Sequence, residues 1–468
     1  MKKIFLFLFS IIVSNTFSQN KATGITLAKA NSSINTVQQI DGKGVLFSAC
    51  SSPSKLIPSF KLESNVILVD DELNVLWNKS FEVPIKNVNM PISLSSANST
   101  GAYWFYFENG TDFIAKKITW DGKESDIVIN NIDKKIAVSS PFPNVCFVDK
   151  DILYCIIKYI EKDIIKTYIY TINFETKVVT PLENNLPDRK EAKFCRGWRY
   201  MGNADGKIYF KSMNVANVSR DKDIATSIAV IDYSGKLISS VDFKVDFSSK
   251  VPFWVYNFQE QNGVYFSDNF SANQDVPYIT DQIIYDISSM KLSPDKKSVY
   301  IYSLYKDMGG LGNDLSGFLV AKYSIDGKKI WQNNYSFEQN VEVDKGITHH
   351  PSQTDLNVCF NVSNDEKTVN FHFWKFNKKG TYHGIVSSTD GKMVDFFKTD
   401  NFTWPSSVNE GPAGTIPVTS KEYNQELVTL LTQKGDKPGI KKAGKNYFVY
   451  DVKPTDGNKI KMHSYGIK

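Results

Sequence analysis

The sequence predicts an all-β protein, folded as a single closed β-propeller of seven four-stranded blades, with six or eight blades as the alternatives. Three observations predict it. A short unit recurs along the chain: an apolar strand, a tight turn of Asp, Asn or Gly, and a second strand. It is plain at residues 66–77 and 318–331, and weaker at 114–129, 228–243, 371–386 and 447–465. Aromatic residues reach 13%, mostly Phe and Tyr, which suit pleated, half-buried surfaces. Amphipathic helical patterns of useful length are scarce.

The first 18 residues read as a targeting signal. Lys2 and Lys3 make a basic start, and the apolar stretch 4–13 that follows is too short to span a bilayer. Thr16 and Ser18 then stand at the −3 and −1 positions for cleavage before Gln19. The stretch holds no cysteine, which argues against a lipid anchor. No later window approaches the roughly 18 apolar residues that a spanning helix needs. The mature chain is therefore expected to carry no transmembrane segment and to work outside the cytoplasm, in the periplasm, at the cell surface or beyond it. A formal charge of +5 is small for this length and gives no reason to expect nucleic acid or an acidic membrane as partner.

Residues 19–468 are expected to form one domain, because a propeller grows by adding blades to one ring. The turns of the repeats are anchored at Asn74, Gly122, Thr176, Gly235, Gly327, Gly380 and Gly457, which gives the count of seven. Most spacings fit the roughly 40–50 residues of a blade plus a loop. The interval of 92 residues between Gly235 and Gly327 does not. It holds either an eighth blade or an insertion near 246–282. Strands at 24–30 and 461–466 are the candidates for closing the ring from both termini. Within the blades, residues 101–107 and 207–212 read as further strands, as do 144–148 and 152–159 around Asp149-Lys150-Asp151.

The segment 290–303 carries Ser293-Pro294-Asp295 between two apolar strands, where proline presets φ and the aspartate bonds its own backbone. It resembles the WD40-like repeats of TolB-type propellers. The segment 309–331 runs from a glycine-rich loop through Asp314, an apolar strand and the Asp326-Gly327 turn to Trp331, and it resembles the secreted β-propeller repeat of bacterial exported proteins. The resemblance covers one blade well and the 66–81 blade in part. It implies a fold and export. Families of this kind share no common activity, so it implies no chemistry.

No nucleophile elbow, His-Glu-x-x-His run, Walker loop or calcium loop is present, and no cofactor or metal is expected. The glycines at 309–312 lie between strands, with no helix N-terminus to hold a phosphate. His349 and His350 are adjacent, so on a strand they point to opposite faces and chelate one ion poorly. The five cysteines include no Cys-x-x-Cys pair. If Lys150 and Asp151 form a two-residue loop, Cys146 falls opposite Cys155, close enough for a disulfide. The alternative is two small apolar residues in a buried strand.

Arginine is the least random feature. Of 55 basic residues only Arg189, Arg196, Arg199 and Arg220 are arginine, all within 32 positions. Arginine is required where a planar fork must hold a carboxylate, phosphate or sulfate. Trp198 and Tyr200 lie among them and are suited to stacking on a sugar ring. Arg196, Arg199, Arg220, Trp198 and Tyr200 are thus the candidate ligand-binding residues, for an anionic group. The competing reading is an ion-pair network with Asp188, Asp221 and Asp223. The aromatic stretches 251–258 and 264–270 read either as an exposed platform for glycan or protein, or as strands within the ring. The lysine-rich run 434–445 reads as a solvated hairpin tip.

Together these features predict an exported, non-catalytic binding or scaffold protein, with an envelope protein or a glycan as partner. The alternative is a propeller enzyme acting on carbohydrate through paired carboxylates in the central channel. If the signal reading is right, N-terminal sequencing of the exported protein begins at Gln19. An intact Met1 on exported material would refute it.

Overall fold

The computed structural model describes the strands and tight turns between residues 18 and 466. It leaves out 1–17, 52–58, 87–95, 108–111, 131–144, 191–197, 215–222, 247–249, 258–284, 308–314, 338–355, 376–380, 400–437 and some single residues and pairs. Among the described residues the elements are strands, gathered in seven sheets whose pairings are antiparallel with one exception.

The first strand, β1 (Ser18–Thr26), does not pair with its sequence neighbour. The sheet that follows it is β2 (Ser32–Ile40), β3 (Gly44–Ser51), β4 (Ser59–Val69) and β5 (Val75–Lys86), paired in that order. The second sheet is β6 (Ser96–Ala97), β7 (Gly101–Phe107), β8 (Phe113–Thr119) and β9 (Glu124–Ile129). The third is β10 (Val145–Asp149), β11 (Ile152–Glu161), β12 (Ile164–Asn173) and β13 (Val178–Leu182), with the short β14 (Arg189–Lys190) also against β12. The fourth is β15 (Arg199–Ala204), β16 (Lys207–Asn214), β17 (Asp223–Asp232) and β18 (Leu237–Asp246).

The next two sheets are less regular. The fifth has β23 (Ser298–Asp307), β24 (Gly317–Ser324) and β25 (Lys329–Ser336). Two short strands divide the remaining edge of β23 between them, β19 (Lys250–Phe253) and β22 (Ser289–Leu292). The sixth has β26 (Leu356–Val362), β27 (Thr368–Lys375), β28 (Thr381–Ser387) and β29 (Met393–Thr399), extended beyond β26 by β20 (Val255–Asn257) and β21 (Tyr285–Asp286). The seventh is β30 (Pro438–Ala443), β31 (Asn446–Asp451) and β32 (Lys459–Gly466), completed by β1. Ile25 lies opposite Ile460 and Gly24 opposite Lys461, so strands from the two ends of the chain share one sheet.

The sequence dictates how the sheets stack. In β4 the run Val66-Ile67-Leu68-Val69 is apolar without alternation, because both of its faces are covered. Val66 and Leu68 pack with Trp104 and Ile118 of the second sheet, while Ile67 and Val69 pack with Phe448 and Ile460 of the seventh. The same division recurs along the chain. Tyr103 and Phe105 meet Leu153 and Ile157. Tyr154 and Ile156 meet Phe210 and Ala229. Ile228 and Val230 meet Val299 and Ile301. Tyr302 and Phe318 meet Phe371 and Tyr382. Six consecutive pairs of sheets thus share a core. The last strand of each regular sheet has one wet face, and in β18 exposed positions alternate with partly or fully buried ones.

Side chains at the edge of one sheet grip the turn of the next. The Trp77 indole N–H donates to the Trp120 carbonyl at 3.2 Å, and its ring lies against Gly122, where a Cβ would sit 3.5 Å away. Trp331 repeats this on the Ser388 carbonyl at 3.1 Å. There Gly391, at φ +72°, leaves room that a Cβ would close to 2.6 Å from the indole.

Two turn anchors require correction. Asn74, Gly122, Thr176, Gly235 and Gly327 do join the third and fourth strands of their sheets. In the sixth sheet that turn is at Asp390-Gly391, while Gly380 falls between β27 and β28 and lies outside the described residues. Gly457 joins β31 to β32, the second and third strands of the seventh sheet. The lysine-rich run 434–445 is also not simply a hairpin tip, because its centre is the strand β30.

Trp77 is 9% exposed and bridges two sheets. Trp77→Ala is expected to lower the unfolding free energy by roughly 3 kcal/mol, the lower end for a buried tryptophan. Urea titration reads this directly, and a loss below about 1 kcal/mol would show that the ring does not hold the two sheets together.

Candidate functional site

The arginine segment leads into the fourth sheet. Arg189 lies opposite Ile165 in the short β14, and Arg199 opposite Lys211 at the start of β15. Arg196 and Arg220 lie outside the described residues, as does Asp221. The two aromatic candidates are placed in full. Trp198 is 1% exposed and gives its indole N–H to the Pro187 carbonyl at 2.6 Å. Tyr200 is half-buried and stacks on Phe147 with centroids 5.4 Å apart and planes 6° from parallel. Its hydroxyl bonds the Asn203 side-chain oxygen, and the Asn203 amide in turn donates to Tyr233 at 3.0 Å. Burial pushes the Tyr200 phenol well above its ordinary pKa, and pushes Tyr154, which also stacks on Phe147, up to about 12.

Trp198 and Tyr200 therefore belong to the core shared by the third and fourth sheets, with no ring face of Trp198 open to a sugar. Their spacing of two residues explains this. On an extended strand it puts both on one face, and that face meets Phe147 and Ile208. Sequence reasoning saw aromatics beside arginines and missed this period.

In the described part of the 92-residue interval the short strands lie at sheet edges. The part of it between Lys250 and Asn257 crosses from the fifth sheet, through β19, to the sixth, through β20. In the sixth sheet β20 runs parallel to β26, with Tyr256 opposite Asn357, and pairs with β21 on its other side. Both additions extend the edge on the side of the sheet away from the wet strands β25 and β29. The regular repeat is broken here, at the matching edge of two consecutive sheets. The second aromatic stretch, 264–270, lies outside the described residues, as do the glycine-rich run 309–314 and His349-His350.

Register brings together a row that no local spacing announces. Cys359 lies opposite His372, and His372 opposite His383, on three successive strands. Strands are spaced about 4.8 Å, so the outer two positions are about 10 Å apart. His383 itself is fully buried and stacks on Phe397 at 4.9 Å. Two residues along β27 from His372, Asn370 is 1% exposed with both atoms of its amide lacking a hydrogen-bond partner.

The carboxylates of the turns are in hydrogen-bonded cages. The Asp232 carboxylate accepts from the Ser234 amide at 2.8 Å and the Lys236 amide at 3.0 Å, and from the Ser234 hydroxyl. Asp295 and Asp365 repeat one design in neighbouring sheets. Each accepts a serine hydroxyl, from Ser293 at 2.6 Å and Ser363 at 2.7 Å, and each takes the amide two residues on. The two turns are joined where the Asp295 amide donates to Glu366. The Thr119 hydroxyl, first among its partners, holds Asp121 down to about 2. Serine hydroxyls likewise lower Asp232, Asp326, Asp365 and Asp390. At Asp70, Glu124 and Asp295 burial is the largest influence and works the other way, but hydrogen bonds, led by those from Asn74, Lys116 and Ser293, and nearby lysine charge together outweigh it, so these too are lowered.

No known protein family matches the chain, and neither does any curated protein. Among solved structures it is similar to an oligogalacturonate lyase in complex with manganese, at 9% identity and a TM-score of 0.38, over 96% of this chain and 98% of that one. A polysaccharide lyase gives 8% identity and a TM-score of 0.40, over 93% of this chain and 90% of that one. Prolyl oligopeptidase B from Galerina marginata gives 10% and 0.42, over 90% of this chain but 46% of its own length. Such low identities transfer no activity or ligand to this protein. What the chain itself defines is an all-β protein of repeated antiparallel sheets, and no helix among the described residues is long and apolar enough to cross a membrane.

The turn aspartates set a pH dependence. Their folded pKa values are depressed, so their contribution to stability is full above the unfolded value near 3.9 and is lost as pH falls through the folded values. For Asp121 that window closes at about 2. Urea midpoints measured from pH 5 to pH 2 should fall steeply, and Asp121→Asn should flatten part of that slope. An unchanged slope in the variant would show that this carboxylate gains nothing on folding.

Proposed function

We propose that the chain is a closed propeller of seven blades, exported and cut before Gln19, that serves as a non-catalytic binding or scaffold protein of the cell envelope. Closure is supported by six shared cores that run unbroken from the seventh sheet through the first to the sixth, and by the pairing of β1 with β32, which ties the two ends of the chain to one sheet. The observation that weighs against the glycosidase alternative is electrostatic. Every carboxylate among the described residues whose pKa clearly moves is moved down, by hydrogen bonds that build turns and by lysine. A glycosidase acid needs the opposite, a carboxyl raised toward neutrality beside a second one within about 5–10 Å. These aspartates are structural.

The ligand surface is proposed at the arginine segment that leads into the fourth sheet, with Arg196, Arg199 and Arg220 as the anion-holding group, and the edge carrying β19, β20 and β21 is the second candidate. In a propeller that edge lies toward the central channel, and ligand sites lie where a regular scaffold is interrupted by irregular segments. An envelope protein or an acidic glycan is the expected partner. The direct test is calorimetry with uronic-acid oligosaccharides and with sulfate at millimolar concentration, alongside capture of partners from the envelope fraction. Arg196→Lys keeps the charge and loses the fork, so it should weaken anion binding several-fold. Equal binding by the variant would remove arginine from the site. Release of reducing ends or of unsaturated uronates from the same sugars would instead make the protein an enzyme and overturn the binding reading.

A further inference from the structure

We propose that Cys146 and Cys155 are a disulfide-forming pair, joined across β10 and β11 when the chain folds in an oxidising compartment. The geometry rests on register. Asp149 lies opposite Ile152, so Lys150 and Asp151 form a two-residue loop, with Lys150 at φ +51°. The pair that closes such a loop is hydrogen-bonded, and bonded and non-bonded pairs then alternate along the ladder. Val148–Leu153 is non-bonded, Phe147–Tyr154 bonded and Cys146–Cys155 non-bonded. Non-bonded pairs bring Cα atoms to about 4.5 Å, inside the range of about 4.4–6.8 Å that a disulfide accepts. Neither residue is in a disulfide in the structure, and both face the second sheet, in the core that contains Tyr103 and Phe105.

Their burial fixes when the bond can form. Cys146 is 5% exposed and Cys155 fully buried, and the Cys146 thiol points to the Tyr103 carbonyl at 3.8 Å. Burial, with the neighbouring Cys146 second, pushes the Cys155 thiol well above its ordinary pKa, so the attacking thiolate is scarce once the sheets have docked. The hairpin is therefore oxidised before docking. One cysteine loses its proton and attacks a small-molecule or protein disulfide, giving a mixed disulfide and releasing one thiol. The other cysteine then loses its proton and attacks the first cysteine's sulfur, forming the Cys146–Cys155 bond and releasing the second thiol. Two electrons pass to the external disulfide. The finished bond is sealed between the second and third sheets, out of reach of reductants. This role is independent of the ligand that the protein takes.

The chain from Gln19 is denatured, reduced and refolded in a glutathione redox buffer, then blocked with an alkylating reagent. Trypsin cuts after Lys150, between the two cysteines, so a disulfide links peptides 136–150 and 151–158 and reduction separates them. The linked pair is expected as the dominant cysteine product of oxidative refolding. In protein folded first with its thiols reduced and oxidised afterwards, its yield should fall at least ten-fold. The linked form should also unfold at a higher temperature than the reduced one, and Cys155→Ser should abolish that difference while Cys50→Ser preserves it. Alkylated Cys146 and Cys155 after oxidative refolding, or a link from either to Cys50, Cys195 or Cys359, would overturn the pairing. Equal yields from the two orders of addition would overturn its timing.

Discussion

Each sheet of this protein is too thin to be stable without its neighbours. A four-stranded antiparallel sheet with apolar side chains on both faces has no core of its own, so its stability is the stability of its contacts on either side. The division of Val66, Leu68, Ile67 and Val69 between two neighbours shows the constraint at the scale of single residues. The tryptophan grips of Trp77 on Trp120 and Trp331 on Ser388 fix the relative placement of adjacent sheets by pairing an apolar ring with one directed hydrogen bond. Large apolar area supplies the attraction, and the indole N–H supplies the address.

The polar residues serve the same end. Aspartates at the turns replace the backbone partners that a tight reversal leaves over, accepting amides two and four residues on. This frees the turns to be short, and short turns let the edge of the next sheet approach. The bond from the Asp295 amide to Glu366 is the clearest case, because there one turn directly caps another in the neighbouring sheet. Negative charge gathers at these turns for structural reasons, which is why its presence says little about chemistry.

Much of the architecture was legible because it is local. Period-two alternation, uninterrupted apolar runs and Asp-Gly turns each report on a few adjacent residues, and they located the outer hairpins of the first, second, fourth and fifth sheets. What failed was non-local. Lys379-Gly380 and Asp390-Gly391 are equally good turn sequences, and only pairing decides which one joins the outer strands. Trp198 and Tyr200 look the same beside arginines whether they face solvent or Phe147. The row from Cys359 through His372 to His383 exists only through register, over separations that carry no sequence signal. The register that sets Cys146 opposite Cys155 was legible for the opposite reason, since a two-residue loop fixes register by itself.

The seventh sheet has a consequence for the order of events during synthesis. Its outer strand is β1, and its other three strands are the last part of the chain, so contacts such as that of Asn458 with Leu27 span 431 residues. Until those last residues emerge, β1 has no β32 to pair with, and the face formed by Val45, Phe47 and Ile67 lacks the cover that Phe448 and Ile460 later provide. Loops of this length close slowly relative to the hairpins between them. A growing chain thus passes through a stage in which most sheets are stacked while an apolar face and an unpaired strand remain open to other molecules. The stretch that supplies β31 and β32 is also the one that covers this apolar face, so the period of exposure is set by how fast those strands arrive.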